Sequence, residues 1–183
     1  RSYWENKKRE RAGKPLLEPL YTAEDAEKSL RYFEPYFLGQ EIKLNDQIRL
    51  RFRDAGHILG SAIIELWVNE NGNETKFVFS GDLGMSDRPI LNNPEYIDYA
   101  DYLIMETTYG NRVHQSYEDS TNKLIDIINR TAIRGGTVII PSFAVGRTQE
   151  LIYRLNKYYE SENIESHMRI PIYIDSPMAV EAT

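Results

Sequence analysis

The chain has 183 residues, of which 41% are hydrophobic and 27% charged, and this is enough for one large domain or one and a half small ones. Its net charge of −6 argues against a broad electrostatic grip on nucleic acid, although it allows a narrow channel that contacts a few phosphates. The chain has no cysteine, no apolar run of membrane-spanning length and no cleavable signal pattern, which excludes a disulfide framework, a thiolate zinc site and a membrane-spanning helix and favours a cytoplasmic protein.

The first part of the chain is predicted to be helical and basic. Residues 1–14 carry six basic side chains against two acidic ones. Residues 2–11 are helix-like but begin without a cap, as though a longer chain preceded them, and a solvated helix face is the favoured interpretation of their charges. Residues 14–21 contain two prolines and predict an extended connector. Thr22 follows, with Asp25 three residues on, and this pair predicts a capping box at the start of a short helix.

A run of β-strands is predicted next. Asn45-Asp46 is a turn signal between the first two strands, and a hairpin turn over residues 69–74 joins the next two as antiparallel partners. The third strand is largely apolar and is expected at the centre of the sheet. The fifth is expected to be buried and to end on Glu106. The predicted strands cover residues 41–44, 47–52, 62–68, 76–80 and 102–105.

The pattern changes after Gly110. Ser116 is predicted to cap a helix, and a further helix is predicted over residues 147–159. Short apolar strands are predicted on either side of that second helix, at residues 137–140 and 170–174. An alternation of strand and helix is typical of a parallel α/β fold.

Two of the strand ends present side chains that bind metals. His57 follows the second strand in a loop of small residues, and Asp82 follows the fourth strand in a Ser-Gly-Asp loop. We expect them at neighbouring strand ends, where glycines let the backbone approach an ion. For each residue alone, a backbone-bonded histidine or a turn aspartate is the common alternative. Together, an imidazole and a carboxylate suit zinc, manganese or iron, but two ligands do not hold a metal ion by themselves.

Residues 141–150 predict an anion site. A strand, a small-residue loop and a helix N-terminus direct free amides and the helix dipole toward a phosphate. Ser142 as a plain cap, Arg147 as a surface residue and Phe143 as a core residue are the alternatives, whereas in the binding interpretation Phe143 stacks on a base. The candidate phosphate- or RNA-binding residues, which include one from a second loop of the same kind, are Ser142, Phe143, Ala144, Gly146, Arg147 and Ser176.

Five segments, in this order, resemble a known family. DAGHILGSA and FSGDLG resemble the third and fourth ligand motifs of the metallo-β-lactamase superfamily. METTYG resembles the acidic motif of its β-CASP branch, which processes RNA and DNA, and IIPSFAVGRTQELIY and IPIYIDSPMA resemble the opening of the domain inserted in that branch. The resemblance runs from about Arg51 to the end of the chain. It is strongest to bacterial and archaeal nucleases related to the polyadenylation-factor endonuclease.

The resemblance implies a divided α/β fold. Residues 1–110 would form the C-terminal portion of the first metallo-β-lactamase segment, which is part of an αββα sandwich. Residues 111–183 would begin a parallel α/β β-CASP domain. The family's His-x-His-x-Asp-His motif and its two closing histidine motifs do not occur in these 183 residues. We expect them before residue 1 and after Thr183, so that the chain is a portion of a longer nuclease and is inactive by itself.

The resemblance also implies a metal centre and a substrate. His57 would bind one ion, Asp82 would bridge two, and Glu106 would act as a catalytic or orienting carboxylate. The expected ions are two zinc ions, with manganese as an alternative. The expected reaction is in-line attack of a metal-bound water on an RNA phosphodiester, with single-stranded DNA as another substrate class. For Arg112 and His114, a position facing the cleft and a position on the surface are about equally expected. His167 is expected to be exposed and without a role.

Two other function classes stay open. One is a small-molecule hydrolase of the same superfamily, and the other is a non-catalytic nucleic-acid-binding or assembly domain. The missing ligand motif keeps the second class open, although His57, Asp82 and Glu106 are all present. An exposed apolar sheet edge would also favour a homodimer or other self-association.

Overall fold

A computed structural model describes residues 2–164 and 169–183, so His167 lies outside the described residues. No helix in this part of the chain is both long and apolar enough to cross a membrane. The chain divides into two compact units, Arg1–Phe37 and Leu38–Thr183. The domain boundary predicted after Gly110 stays a prediction.

The first unit contains the two helices that were predicted for the first part of the chain. Helix α1 is Ser2–Arg11 and helix α2 is Ala23–Ser29, which a single 3₁₀ turn, Leu30–Tyr32, extends. The predicted capping box is confirmed, because the Thr22 hydroxyl accepts the amide proton of Asp25 at 3.2 Å and the Asp25 carboxylate accepts that of Thr22 at 2.8 Å.

The second unit is built on a five-stranded sheet in the order β1-β2-β3-β4-β5. Neighbouring strands are antiparallel except for β4 and β5, which run parallel. The predicted central strand is indeed β3, and the predicted hairpin turn consists of Asn71 and Gly72, both at positive φ as a tight two-residue turn requires. The strands are β1 Glu41–Lys43, β2 Ile48–Asp54, β3 Ala62–Glu70, β4 Asn73–Phe79 and β5 Tyr102–Ile104.

The central part of one face of the sheet is apolar. Because side chains alternate along a strand, paired residues of neighbouring strands form rows on the same face. The rings of Phe77 and Tyr102 stack there with centroids 5.0 Å apart. The apolar side chains that β2, β3 and β4 contribute to this face are half-buried, whereas Tyr102 and Ile104 of β5 are exposed. Two rows cross the face, Leu50, Leu66, Phe77 and Tyr102 in one and Phe52, Ile64, Phe79 and Ile104 in the other.

The opposite face is charged and yet better buried. Glu65 of β3 is only 2% exposed, and it forms ion pairs with Arg51 at 2.7 Å, Lys76 at 2.7 Å and Arg53 at 3.1 Å. Burial by itself would raise the pKa of Glu65, but the hydrogen bonds from Arg51, Lys76 and Arg53 outweigh it and lower that pKa to about 2. Beside this cluster, Ala55, Ile63 and Val78 form a small core. The loop after β4 covers that core with Leu83, Ile97 and Ala100.

Three predicted strand properties differ from the structure. Strand β5 forms, but it is exposed rather than buried, because it lies at the edge of the sheet and, among the described strands, pairs only with β4. Residues 137–140 and 170–174 form no strand. A strand is stable only when a neighbour completes its hydrogen-bond ladder, and no described strand pairs with either segment. Ile139 and Tyr173 consequently stay largely exposed.

The described residues of the second unit also form three helices: α3 is Tyr117–Ile133, α4 is Arg147–Ser161 and α5 is Pro177–Glu181. The Ser116 cap of α3 is confirmed, since its hydroxyl accepts the amide proton of Asp119 at 3.0 Å. Arg154 of α4 joins the two long helices. Its guanidinium lies 3.7 Å from the ring centroid of Tyr117 and donates to the hydroxyl of Thr121 at 3.1 Å.

Candidate metal centre

The loop after β2 presents His57. Ala55 and Gly56 are buried at its base, and Gly56 has a φ of +62°, which a residue with a Cβ adopts only with strain. The Ser61 hydroxyl accepts the amide protons of His57 at 3.0 Å and Ile58 at 3.2 Å. The Ser61 side chain therefore holds the loop backbone in place, and His57 itself is exposed.

The loop after β4 presents Asp82 and lies directly against the His57 loop. The Gly84 amide donates to the Ala55 carbonyl at 2.8 Å. A Cβ on Gly84 would lie 1.7 Å from the Gly56 carbonyl oxygen, which is closer than any two such atoms can approach. The two glycines therefore allow a backbone contact that holds the two candidate ligand loops together. The expectation that these loops follow neighbouring strands is wrong, because β3 lies between β2 and β4 and pairs with both.

The Leu83 peptide connects all three candidate site residues. It directly follows Asp82, its carbonyl lies 3.3 Å from Nδ1 of His57, and its amide donates to Oε1 of Glu106. Glu106 is held in turn by its own amide, which donates to the Ser80 hydroxyl at 3.0 Å. The Leu83 amide is the largest cause that lowers the pKa of Glu106, followed by the Thr108 hydroxyl. Glu106 is consequently a carboxylate at neutral pH.

The His57 imidazole and the Asp82 carboxylate are suited to be two ligands of a metal centre. A carbonyl oxygen can only accept a hydrogen bond, so the contact with Leu83 places the imidazole proton on Nδ1 of His57 and leaves the Nε2 lone pair for an ion. No described residue donates a hydrogen bond to the Asp82 carboxylate, which is exposed. Within residues 2–164 and 169–183, however, no group of three or more histidine, aspartate or glutamate side chains is arranged to hold a metal ion.

The loop before α4 lies beside the His57 loop. A Cβ on Gly146 would meet the Ile58 side chain at 3.1 Å, and Ile58 is the residue after His57. A second link comes from Arg88, in the loop after Asp82, which forms an ion pair with Glu150 of α4 at 2.7 Å. The start of α4 is therefore next to both candidate ligand loops.

The structure gives most of the predicted phosphate-binding groups partners within the protein. The Arg147 amide bonds to the Val145 carbonyl, and that of Thr148 bonds to the Phe143 carbonyl. The guanidinium of Arg147 forms an ion pair with Glu150 at 2.6 Å. Phosphate binding here stays a prediction, and it requires these contacts to open.

The remaining candidates of this loop have varied environments. Phe143 is 83% exposed, so it is not a core residue. The Ser142 hydroxyl contacts that of Thr148 at 3.3 Å and is not the helix cap, since Gly146 occupies that position. Ala144 is half-buried, and its carbonyl accepts a hydrogen bond from the Gln149 side chain at 3.1 Å.

Three candidates lie in other loops. The Ser176 hydroxyl caps α5 by accepting the Ala179 amide proton at 3.3 Å. Arg112 and His114 are both exposed and both contact Tyr109: the guanidinium lies 5.5 Å from its ring centroid and the imidazole 5.1 Å.

Several residues that organise the site were not predicted. Leu83 acts through its backbone, which no side-chain pattern indicates. Ser61 follows the DAGHILG run and Gly84 follows Asp82, so both were visible in the motifs but were not singled out. Arg88 and Glu150 are 62 residues apart in the sequence, and only the fold brings them together.

Sequence comparison gives several relatives, although no protein-family model matches the chain. Ribonuclease TTHA0252 of Thermus thermophilus is 38% identical over 170 residues, which are 93% of this chain and 37% of that protein. Transcription termination factor FttA of Pyrococcus horikoshii is 35% identical over 91% of this chain and 25% of its own length. Cleavage and polyadenylation specificity factor 73 of Drosophila melanogaster is 33% identical over 87% of this chain and 22% of its own length.

The chain thus spans between about a fifth and two fifths of the length of these relatives. The similarity extends over nearly all of the chain and includes the segments that carry His57, Asp82 and Glu106. The mixed α/β fold with its five-stranded sheet agrees with part of a metallo-β-lactamase and β-CASP fold. The chain therefore belongs to the β-CASP family of the metallo-β-lactamase superfamily.

Proposed function

We propose that this chain contributes to a metal-dependent phosphodiesterase that cleaves RNA. The observation that carries the proposal is the Leu83 backbone, which joins the His57 imidazole, the Asp82 loop and the Glu106 carboxylate in the loops that follow β2, β4 and β5. The names of the relatives support RNA as the substrate, since they include a ribonuclease and a cleavage and polyadenylation factor.

Each residue has a distinct role in this proposal. His57 binds an ion through Nε2, because Nδ1 is engaged by Leu83. Asp82 binds through its exposed carboxylate. Glu106 is a positioning residue, since it holds the Leu83 amide and with it the orientation of Asp82. When bound, zinc or manganese supplies Lewis-acid stabilisation of the charge that develops on a phosphodiester.

The described residues supply too few ligands for a complete centre, so further ligands have to come from outside this set. We therefore infer that the 183-residue chain alone does not cleave RNA. Zinc is the preferred ion of the proposal, because an imidazole combined with a carboxylate suits it, and manganese is the alternative.

The test is cleavage of end-labelled single-stranded RNA, in zinc or manganese, by the longest natural polypeptide that contains these residues. We expect cleavage that a chelator abolishes and that His57→Ala and Asp82→Asn each reduce by at least about a hundredfold. The matched control is Asp98→Asn, which removes an exposed carboxylate in the same unit. A cleavage rate unchanged by both site substitutions, or equal in the chelator, would contradict the proposal. Parallel reactions on single-stranded DNA test the substrate class.

A further inference from the structure

The cations of the sheet are balanced by carboxylates beside them. Arg51, Arg53 and Lys76 converge on Glu65, and Arg49 forms ion pairs with two further glutamates. These charges are neutralised within the protein, so they exert little attraction on an outside anion.

The cations of α1 have a different environment. Lys7, Lys8 and Arg11 are exposed, and no carboxylate of the described residues forms an ion pair with any of them. Since residues three and four apart share a face of a helix, these three cations lie on one stripe together with Trp4. Glu5 and Glu10 project from α1 on either side of this α1 stripe, which therefore carries three positive charges and an aromatic ring.

Trp4 is unusually exposed for a tryptophan. Tryptophan normally buries most of its surface, but the side chain of Trp4 is 67% exposed. The Tyr3 ring approaches it edge-on at 5.3 Å, and the Lys7 ammonium lies 5.5 Å from its ring centroid. The indole thus has accessible aromatic surface beside a cation.

Helix α1 is hydrogen-bonded to the connector that follows it. The Asn6 side chain exchanges two hydrogen bonds of 2.8 Å with the Leu17 backbone, and Arg9 donates to the Pro15 carbonyl at 2.7 Å. Asn6 and Arg9 lie on the opposite side of α1 from the stripe, so the connector is attached to that side. The stripe remains open to solvent, and a ligand would pay little to order the helix.

We propose that the α1 stripe binds single-stranded RNA, with its three cations on phosphates and Trp4 stacked on a base. The inference rests on the RNA substrate proposed above and adds a contact outside the metal centre. A single strand fits better than a duplex, because only unpaired bases expose a face for stacking. An acidic peptide would satisfy the cations but would give the indole no base to stack on.

Fluorescence anisotropy of the 183-residue chain with a short labelled single-stranded RNA tests this inference. The measurement is made in a chelator, so that binding does not depend on the metal centre. We expect Lys7→Gln, Lys8→Gln and Arg11→Gln together to lower the slope of log affinity against log salt by about 2, because each phosphate contact on a single strand contributes about 0.7. The matched control neutralises three exposed cations of α3 and α4, Lys123, Arg130 and Lys157, in the same way.

Trp4 provides an independent readout. The chain has only two tryptophans, and Trp67 is buried, so quenching of tryptophan fluorescence by RNA reports on Trp4. We expect Trp4→Ala to weaken binding on the order of tenfold and to abolish the quenching, since base stacking on an aromatic side chain is worth about that much. Circular dichroism checks that each variant retains its helices.

Four results would overturn the inference: no binding of RNA in the chelator, equal binding by wild type and the α1 triple variant, equal weakening by both triple variants, or affinity for a polyglutamate peptide that matches RNA and does not depend on Trp4. The last would favour an acidic protein partner. Binding through the stripe without any cleavage by the longer polypeptide would leave the inference intact while the proposed function fails. Normal cleavage by the longer polypeptide, together with unaltered RNA binding by the α1 triple variant, would overturn the inference and leave the proposed function intact.

Discussion

Gly84 is the residue at which the two candidate ligand loops meet most closely. A methyl group there would lie 1.7 Å from the Gly56 carbonyl oxygen, so Gly84→Ala has to push the loops apart. We expect a loss of at least about 2 kcal/mol in the free energy of unfolding, which urea denaturation measures.

Gly60→Ala is the control for backbone strain. Gly60 has a φ of +82° but open space around it, so alanine there costs only about 1 kcal/mol. Equal stability losses at the two glycines would show that the close contact between the loops is not important.

Glu65 predicts a specific dependence of stability on pH. Its pKa is about 2 in the folded chain and about 4.3 when unfolded, so its contribution is complete above that unfolded value and disappears as the pH falls toward 2. We expect Glu65→Gln to cost roughly 3 kcal/mol near neutral pH and progressively less below about pH 4. Denaturant unfolding at a series of pH values measures the difference.

Glu74→Gln is the comparison for this series. Glu74 pairs with Arg49 at 2.9 Å, but its side chain is 45% exposed, so its loss costs less than about 1 kcal/mol. A Glu65→Gln effect that stays constant down to about pH 2 would show that the ion-pair cluster does not stabilise the fold.

At the level of single residues, the sequence indicated which side chains form the candidate site, but not which backbone groups contact one another. His57 and Asp82 could be singled out because their residue types and their small neighbours are visible locally. The role of the Leu83 peptide could not be predicted, since every residue has an amide and a carbonyl and only the fold shows which ones meet.

Among the elements, the apolar sheet face has the clearest consequence. Its two apolar rows each cross four strands about 4.8 Å apart, so they form one continuous patch rather than scattered apolar residues. Since Tyr102 and Ile104 leave this face largely open, we expect the 183-residue chain to self-associate as its concentration rises. A second copy would cover the face.

Light scattering over a range of concentrations measures this association. Ile104→Glu puts a charge at the exposed end of one row and is expected to shift the chain toward the monomer. Ile133→Glu is the matched control, because Ile133 is 87% exposed but lies at the end of α3 rather than in a strand. A monomer at every concentration, or equal effects of both substitutions, would argue against association through this face.

The elements also show where sequence patterns fail. Strands β1 to β4 could be predicted because each has a neighbour close in sequence, joined through a short turn. Residues 137–140 and 170–174 are equally apolar, yet they form no strand, because strand formation depends on a partner rather than on composition. Helices α3 and α4 formed as predicted, since their hydrogen bonds are local.

For the molecule as a whole, the described residues form the sheet that positions the candidate site, but they do not supply a full set of metal ligands. The sheet already brings His57, Asp82 and Glu106 together, whereas the described residues contain no complete metal-binding group. The relatives are all longer than the region they share with this chain. In our account, the chain positions part of a metal centre, and the rest of the ligands come from outside the described set.

Zinc binding by the 183-residue chain tests this account most directly. Titration against a chromophoric chelator, followed by metal analysis after dialysis, measures both affinity and retention. We predict weak binding that dialysis removes, that His57→Ala and Asp82→Asn each abolish, and that the control Asp98→Asn leaves unchanged, because two ligands do not hold zinc tightly. Near-stoichiometric zinc that survives dialysis, or binding that neither His57→Ala nor Asp82→Asn alters, would contradict it.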